Sequence, residues 1–394
     1  MRDVTKAAAY KFVILLGITS LFADMTYESA RSINGAYLAI LGANAATVGF
    51  VAGFGELIGY ALRYFSGYVA DKTGRYWTIT LIGYCINLSA VPLLALAGEW
   101  QIAAVLIVLE RLGKALRIPS RDAMLSHAAH RLGAGWAFGL HEALDRAGAM
   151  LGPLIIALML YKHDSYVFIY AVLTIPALFA LFSILTAYFM YPKPHELEHL
   201  STNLETRGIT KVFWLYLAAA ALLGAGYADF SLMAYHFSKT GILSSMLIPL
   251  SYAIAMGVSA IAAPLLGHYY DRRGFIVLII VTIISIPFAP LVFLGDAQMA
   301  FIGVVLWSIG MCANDSLMRA VITNMVSIHK RGTAYGLFGM GYGIAWFIGS
   351  VILGVLYDIN IRYLVAFSVI VQLLALPIFW MVLRRIKQNL LLRF

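Results

Sequence analysis

Asp24, Glu28 and Arg31 stand four and three residues apart in an otherwise apolar stretch. That spacing puts all three on one face of a helix. Two acids beside a base can carry a proton or hold a cation, with the arginine setting how readily they do so. A second set follows the same rule. Glu110, Lys114, Arg117 and Arg121 recur at four, three and four residues, with Arg111 and Asp122 to one side. A third set has His141 and Asp145 on one face with Gly148 and Gly152, and Glu142 and Arg146 four apart on another. Gly49, Glu56, Arg63 and Gly67 form a stripe at sevens and fours. Later in the chain such groups thin out. Asp229 and His236 lie seven apart, Asn314 and Asp315 precede Arg319, and Tyr335, Gly339, Tyr342 and Trp346 stripe one more stretch. These patterns suit proton relay and ion or solute binding. There is no nucleotide-binding G-x-x-x-x-G-K-(S/T), no catalytic triad and no convincing metal-enzyme motif. The reading is therefore not an enzyme, with no cofactor and no resident metal.

The elements that must hold these groups are long and apolar. The chain has 394 residues, 62% hydrophobic and 12% charged, against about 25% charged in ordinary soluble domains. Runs of roughly 20 apolar residues recur throughout, each long enough to cross about 30 Å of hydrocarbon. A bilayer admits only helices or a closed barrel, and these runs are too long and continuous for barrel strands. The expected fold is an all-α polytopic membrane protein with helices near 10–40, 46–70, 76–98, 101–125, 136–161, 165–191, 211–238, 243–270, 275–295, 299–326, 333–357 and 362–386. A charge at the bilayer centre costs about 2.5–3.5 kcal/mol on insertion scales, so the charged faces must meet water or one another. A receptor or scaffold would need no such interior.

The net charge of +9 could suggest nucleic acid, but its distribution reads as topology. Loops on one side hold twenty Lys and Arg, counting Arg117 and Arg121, against three on the other. The positive-inside rule puts both termini in the cytoplasm, with the lipid bilayer as partner and no nucleic acid. The first run spans fully and has no small-residue cleavage site, so no cleavable signal peptide is expected. Cys85 and Cys312 fall inside helices and read as packing residues. The stretch 192–210 is the one long polar segment and reads as a cytoplasmic linker. Its His195, Glu196, Glu198 and His199 read as solvated rather than metal-binding.

An internal repeat divides the chain. Gly67-Tyr-Val-Ala-Asp71-Lys-Thr-Gly74-Arg75 returns as Gly267-His-Tyr-Tyr-Asp271-Arg-Arg-Gly274, 200 positions on. Gly135-Trp-Ala-Phe-Gly139-Leu-His141-Glu142 returns as Gly332-Thr-Ala-Tyr-Gly336-Leu-Phe338-Gly339, 197 positions on. In the second pair His141, Glu142, Asp145 and Arg146 become Phe338, Gly339, Tyr342 and Gly343. The halves share a scaffold and not a chemistry.

The first repeat resembles the loop 2–3 signature of the major facilitator superfamily, G-x-x-x-D-x-x-G-R-(K/R), with Tyr76 in the last place and Phe275 replacing the arginine of the second copy. Arg111-Leu-Gly-Lys114 through Pro119-Ser-Arg121-Asp122-Ala, with Ser20-Leu-Phe-Ala-Asp24-Met-Thr-Tyr-Glu28, is similar to a bacterial branch of permeases, some assigned to efflux of metals or drugs. Gly148-Ala-Met-Leu-Gly152-Pro153 resembles the fifth-helix motif of antiporter members. The resemblance implies two six-helix bundles, 1–191 and 211–394, built of inverted three-helix units, with a substrate site between them near mid-membrane. It also implies alternating access, a monomer, and gating roles for Gly67, Asp71, Gly74, Arg75, Asp271, Gly152 and Pro153. The expected function is a proton-coupled efflux antiporter of a small molecule or metal cation in the inner membrane. Asp24, Glu28, Asp145 and His141 are the candidate proton carriers. Arg31, Glu56, Arg63, Glu110, Lys114, Arg146, Asp229, Asp315 and Tyr342 are candidate substrate ligands. The alternative is an uptake symporter of a small organic anion, supported by Arg31, Arg63, Lys114 and Arg146.

Overall fold

The computed structural model describes residues 2–132, 134–163, 165–192, 211–325 and 331–391. The expected linker, with its histidines, lies outside the described residues from 193 onward, as do the side chains of Asn314, Asp315, Arg319 and Tyr335. Among the described residues there is no strand. The helices are α1 (Arg2–Ile40), α2 (Ala45–Thr73), α3 (Tyr76–Leu93), α4 (Trp100–Leu132), α5 (Ala134–Lys162), α6 (Tyr166–Val172), α7 (Thr174–Met190), α8 (Lys211–Gly226), α9 (Phe230–Thr240), α10 (Leu247–Arg273), α11 (Ile276–Ser285), α12 (Phe288–Leu294), α13 (Ala297–Met325), α14 (Arg331–Ile359) and α15 (Ile361–Leu391).

Helix is found at all twelve expected positions, but three of the spans are broken. Their breaks have local causes. Pro287, which lacks an N–H, stands between α11 and α12. Asp229 caps α9, its carboxylate accepting from the Ser231 N–H at 2.8 Å, after Gly226 ends α8. α6 gives way to α7 at Leu173, and Pro176 sits in the first turn of α7, where its missing N–H costs nothing. Ten described helical spans are long and apolar enough to cross a membrane. The span on α13 is apolar over the shorter stretch Ala297–Ala313. α4 falls short because of the charges it carries. Large apolar side chains such as Phe182, Phe189 and Ile261 remain exposed, as a hydrocarbon solvent requires.

The chain divides into two compact units. One gathers Met1–Gly42, Ile58–Thr202 and Ser244–Ala253; the other gathers Ala43–Leu57, Asn203–Leu243 and Ile254–Phe394. Within each unit the sequence repeat becomes a repeat of geometry. Gly74 and Gly274 both take left-handed backbone, φ +66° and +67°, and their N–H groups close the preceding helices onto Ala70 and Tyr270. A side chain at either position would be strained, which explains why both copies keep glycine there. In the first unit Gly152 of α5 packs on Met25 of α1, where a Cβ would fall 2.6 Å from the Met25 carbonyl oxygen. In the second, Gly349 of α14 meets Ala225 of α8 at 2.1 Å by the same measure.

Two expectations change. Cys85 is exposed rather than packed, while Cys312 is buried with its sulfur 3.6 Å from the Ser259 carbonyl. Arg117 and Arg121 are not loop residues: both are buried within α4. Their removal lowers the loop count but leaves the charge asymmetry standing.

α4 is held to α3 by backbone contact. A Cβ at Gly113 would lie 2.4 Å from the Asn87 nitrogen and 2.7 Å from the Gly83 oxygen. A Cβ at Gly139, exposed on α5, would meet none of the described residues within 4 Å. Gly113→Leu is expected to cost at least about 1–3 kcal/mol through overpacking, and Gly139→Leu little. Thermal unfolding of detergent-purified protein followed by tryptophan fluorescence checks this; equal melting temperatures for the two variants would contradict the α3–α4 seam.

Candidate functional site

α1 has two unlike faces. Phe22, Met25 and Ser29 line an apolar cavity of about 220 Å³ shared with α5, α6 and α7. Asp24, Glu28 and Arg31 lie on the opposite face, each less than a tenth exposed. The cavity therefore does not belong to the charged groups. Those groups meet α4, α5 and the first turns of α10.

Glu28 is held at both oxygens. Lys114 Nζ lies 3.3 Å from Oε1, and the Tyr252 hydroxyl donates to Oε2 at 2.6 Å. Lys114 also sits over the Tyr27 ring, 3.9 Å from its centroid. Tyr27 in turn donates its hydroxyl to Asp24 Oδ1. The ring thus stands between a lysine and a carboxylate, touching each in a different way: face to cation, edge oxygen to anion. One turn up α4, Glu110 pairs with Arg111 at 3.2 Å and accepts from the Asn87 side chain at 2.9 Å.

Arg117 is wholly buried, its guanidinium 4.4 Å from the Tyr84 ring centroid and 5.5 Å from that of Tyr27. Its Nε and Nη1 have no hydrogen-bond partner among the described residues. Arg121 binds Asp122 at 2.8 Å and donates to Ser20 Oγ at 3.0 Å. Ser20 lies 2.8 Å from His141 Nε2, and His141 Nδ1 lies 3.5 Å from Asp145. A continuous polar path thus runs from Arg121 on α4 through Ser20 on α1 to His141 and Asp145 on α5. Backbone contact lets these helices approach. A Cβ at Gly148 would sit 2.2 Å from the Leu21 oxygen and 3.1 Å from the Asp24 Cβ. Gly148 and Gly152 therefore serve the α1–α5 seam, Gly148 directly beside Asp24, and Pro153 follows Gly152 inside α5.

Of the candidate residues, Asp24, Glu28, Arg31, Glu110, Lys114, His141 and Asp145 come together. Arg146 pairs with Glu142 at 2.9 Å on a half-exposed face of α5. Arg63 lies 5.6 Å from the ring centroid of Tyr60 on its own helix. Glu56, Asp229 and Tyr342 belong to the other unit, where Asp229 caps α9 and Tyr342 stacks on Phe338 at 5.8 Å and tilts against Trp346. Asp315 lies outside the described side chains. Of the gating candidates, Gly67 faces Pro119 of α4, and Asp71 accepts from Tyr76 at 2.9 Å in an exposed turn beside Arg75; Asp271 is also exposed. Among the described residues no group of three His, Cys, Asp or Glu could hold a metal ion.

Tyr84 and Tyr252 escape the sequence reading, while Ser20 and Tyr27 enter it within the first-helix motif without a role of their own. Tyr27 had a signal, since it lies three residues from Asp24 and next to Glu28. Tyr252 had none, because 224 residues separate it from its partner.

Removing one member of a buried ion pair costs about 3–5 kcal/mol because the other is left uncompensated. Lys114→Met is expected to lower the melting temperature clearly, and Lys114→Met with Glu28→Gln to recover most of the loss. Calorimetry on the three proteins would show it, and no recovery in the double variant would mean the two groups are not partners.

The family model for the Major Facilitator Superfamily matches residues 16–313. An uncharacterized protein of Mycobacterium tuberculosis is 38% identical over 376 residues, covering 94% of this chain and 92% of its own. An uncharacterized MFS-type transporter of Methanocaldococcus jannaschii is 28% identical, with 89% of each chain covered. Among solved structures, a bacterial homolog of the human lysosomal transporter Spinster superposes with TM-score 0.76 at 14% identity, covering 96% of this chain and 97% of that one. The nucleoside transporter NupG gives 0.71 at 16% identity, with 95% and 99% covered. At such identity these two establish a shared fold. The buried charges, the repeated helix seams and these matches lead to one conclusion: the chain is a polytopic membrane transporter belonging to the Major Facilitator Superfamily.

Proposed function

We propose that this transporter is a proton-coupled antiporter that exports a small molecule or metal cation by alternating access across the inner membrane. The sequence halves 1–191 and 211–394 are its moving parts, the stretch 192–210 joins them, and both termini are cytoplasmic. The observation that carries this reading is the cluster on α1, α4 and α5. Asp24 and Glu28 are buried, and each is engaged by a tyrosine hydroxyl; Glu28 also has Lys114 at hand. A carboxylate held in this way changes partners when it takes a proton. A proton and a cation then compete for one site, and binding one expels the other. Asp24 and Glu28 carry the exchange. His141 and Asp145, linked through Ser20 to Arg121, form the path by which a proton reaches or leaves them. The second unit supplies aromatic shape through Tyr342 and Trp346.

Arg117 supports a second reading. A buried guanidinium whose Nε and Nη1 meet no hydrogen-bond partner among the described residues, near Lys114, suits a small organic anion carried inward.

Energised everted vesicles with a pH-sensitive dye separate the two. Divalent metals, lipophilic cations and organic acids are added in turn, and proton release from the lumen with one class establishes antiport. Asp24→Asn is expected to abolish coupled transport while the protein folds normally; full proton-driven transport by that variant would remove Asp24 from the mechanism. Saturable uptake of an organic anion, lost in Lys114→Ala and kept in Asp24→Asn, would establish the second reading instead.

A further inference from the structure

Two stretches of chain cluster with a different unit from the rest of their own helix. Residues 43–57 group with the second unit although α2 continues from Ile58 in the first. Ser244–Ala253 group with the first unit although α10 continues from Ile254 in the second. A carboxylate holds each stretch. Asp358, at the end of α14, accepts from the N–H groups of Ala45 and Ala46 at 3.1 and 2.8 Å, closing the start of α2. Glu28 accepts from the Tyr252 hydroxyl at 2.6 Å, holding the start of α10.

The two fasteners differ in their surroundings. Asp358 is exposed and caps backbone donors at a helix N-terminus, where a negative charge is favoured. A glycine seam reinforces it: a Cβ at Gly49 would lie 2.3 Å from the Ser350 oxygen, and one at Gly354 2.5 Å from the Ala45 oxygen. Glu28 is buried, and it shares its charge with the candidate site. Arg31 on its own helix and Lys114 and Arg111 on α4 face it, and Asp24 and Glu110 lie within its field. On α10 it is Tyr252 whose hydroxyl hydrogen-bonds Glu28.

We propose that Tyr252 is a positioning residue whose hydroxyl makes the docking of Ser244–Ala253 depend on the charge of Glu28. It deepens the transport reading, on which it rests for the role of Glu28. A hydrogen bond to an ionised carboxylate is roughly twice as strong as one between neutral groups. A proton on Glu28, or a cationic cargo that takes its charge, weakens the hold on α10. Neutralising the site thereby loosens one specific stretch of chain. Asp358 fastens the start of α2 without reading the site, so it serves as an internal comparison.

Hydrogen–deuterium exchange of the full-length protein in detergent tests this without any cargo. The reporter amides are Leu247, Ile248 and Leu250, which donate to Ser244 and Met246 carbonyls. Tyr252→Phe is expected to speed their exchange about tenfold, from loss of a bond to a charged group. Glu28→Gln is expected to speed the same amides by less. The double variant is expected to match Tyr252→Phe alone, since no hydroxyl remains to sense the carboxylate. Asp358→Asn is expected to speed exchange in 43–57 and leave 244–253 at the wild-type rate. Wild-type exchange of 244–253 in Tyr252→Phe would overturn the proposal. So would a Glu28→Gln effect undiminished in the Tyr252→Phe background, or both segments loosening together in every variant. Proton movement in vesicles is read separately: if it is absent while this exchange pattern holds, the antiport reading falls and the Tyr252 link stands.

Discussion

A charge inside a hydrocarbon layer has to find its counterpart within the protein, and in the first unit α4 sets the terms. It carries Glu110, Arg111, Lys114, Arg117, Arg121 and Asp122 within three and a half turns, so it cannot face lipid on those sides. α1 answers Lys114 with Glu28 and Tyr27; α3 answers Glu110 with Asn87 and Arg117 with Tyr84. Such answers need short reach, and glycines provide it. Gly83 and Gly113 bring α3 against α4, and Gly148 and Gly152 bring α5 against α1. Small residues and charges are thus two parts of one device: the first permit the close approach without which the second would be stranded.

The second unit keeps the small residues and drops most of the charges. Gly349 repeats the close approach of Gly152, yet Phe338, at the place corresponding to His141, stacks 5.6 Å from the Tyr216 ring. Tyr342, at the place of Asp145, continues the stack. Aromatic rings fill volume and pack against one another across the α8–α14 seam with no charge to be balanced there. One scaffold therefore supports a polar interior in one copy and an aromatic one in the other.

Much of this was legible in the sequence. Apolar run length fixed the helices, and the recurrence of Gly67 and Asp71 as Gly267 and Asp271 revealed the repeat. The 3.6-residue period put Asp24, Glu28 and Arg31 together. Broken spans were harder, because Asp229 looks like a buried acid until its role as a cap is seen. Arg117 and Arg121 read as loop charges because a window of sequence does not show that tyrosines or a serine from other helices will cover them. Tyr252 was invisible for the same reason: a single hydroxyl among apolar residues gains meaning only through a partner 224 positions away.

The exchange of short stretches between units bears on how this protein can be taken apart. A cut in the segment 193–210 leaves Ser244–Ala253 on one polypeptide and the unit that houses it on the other. It leaves Ala43–Leu57 in the converse position. Glu28 then has an oxygen without its tyrosine, and Asp358 faces no helix start. Each fragment made alone lacks the partner of its carboxylate, and the two would have to be made together to recover it. Gene fission, domain shuffling with a homologue or study of one half in isolation would each cut across that reciprocal loan.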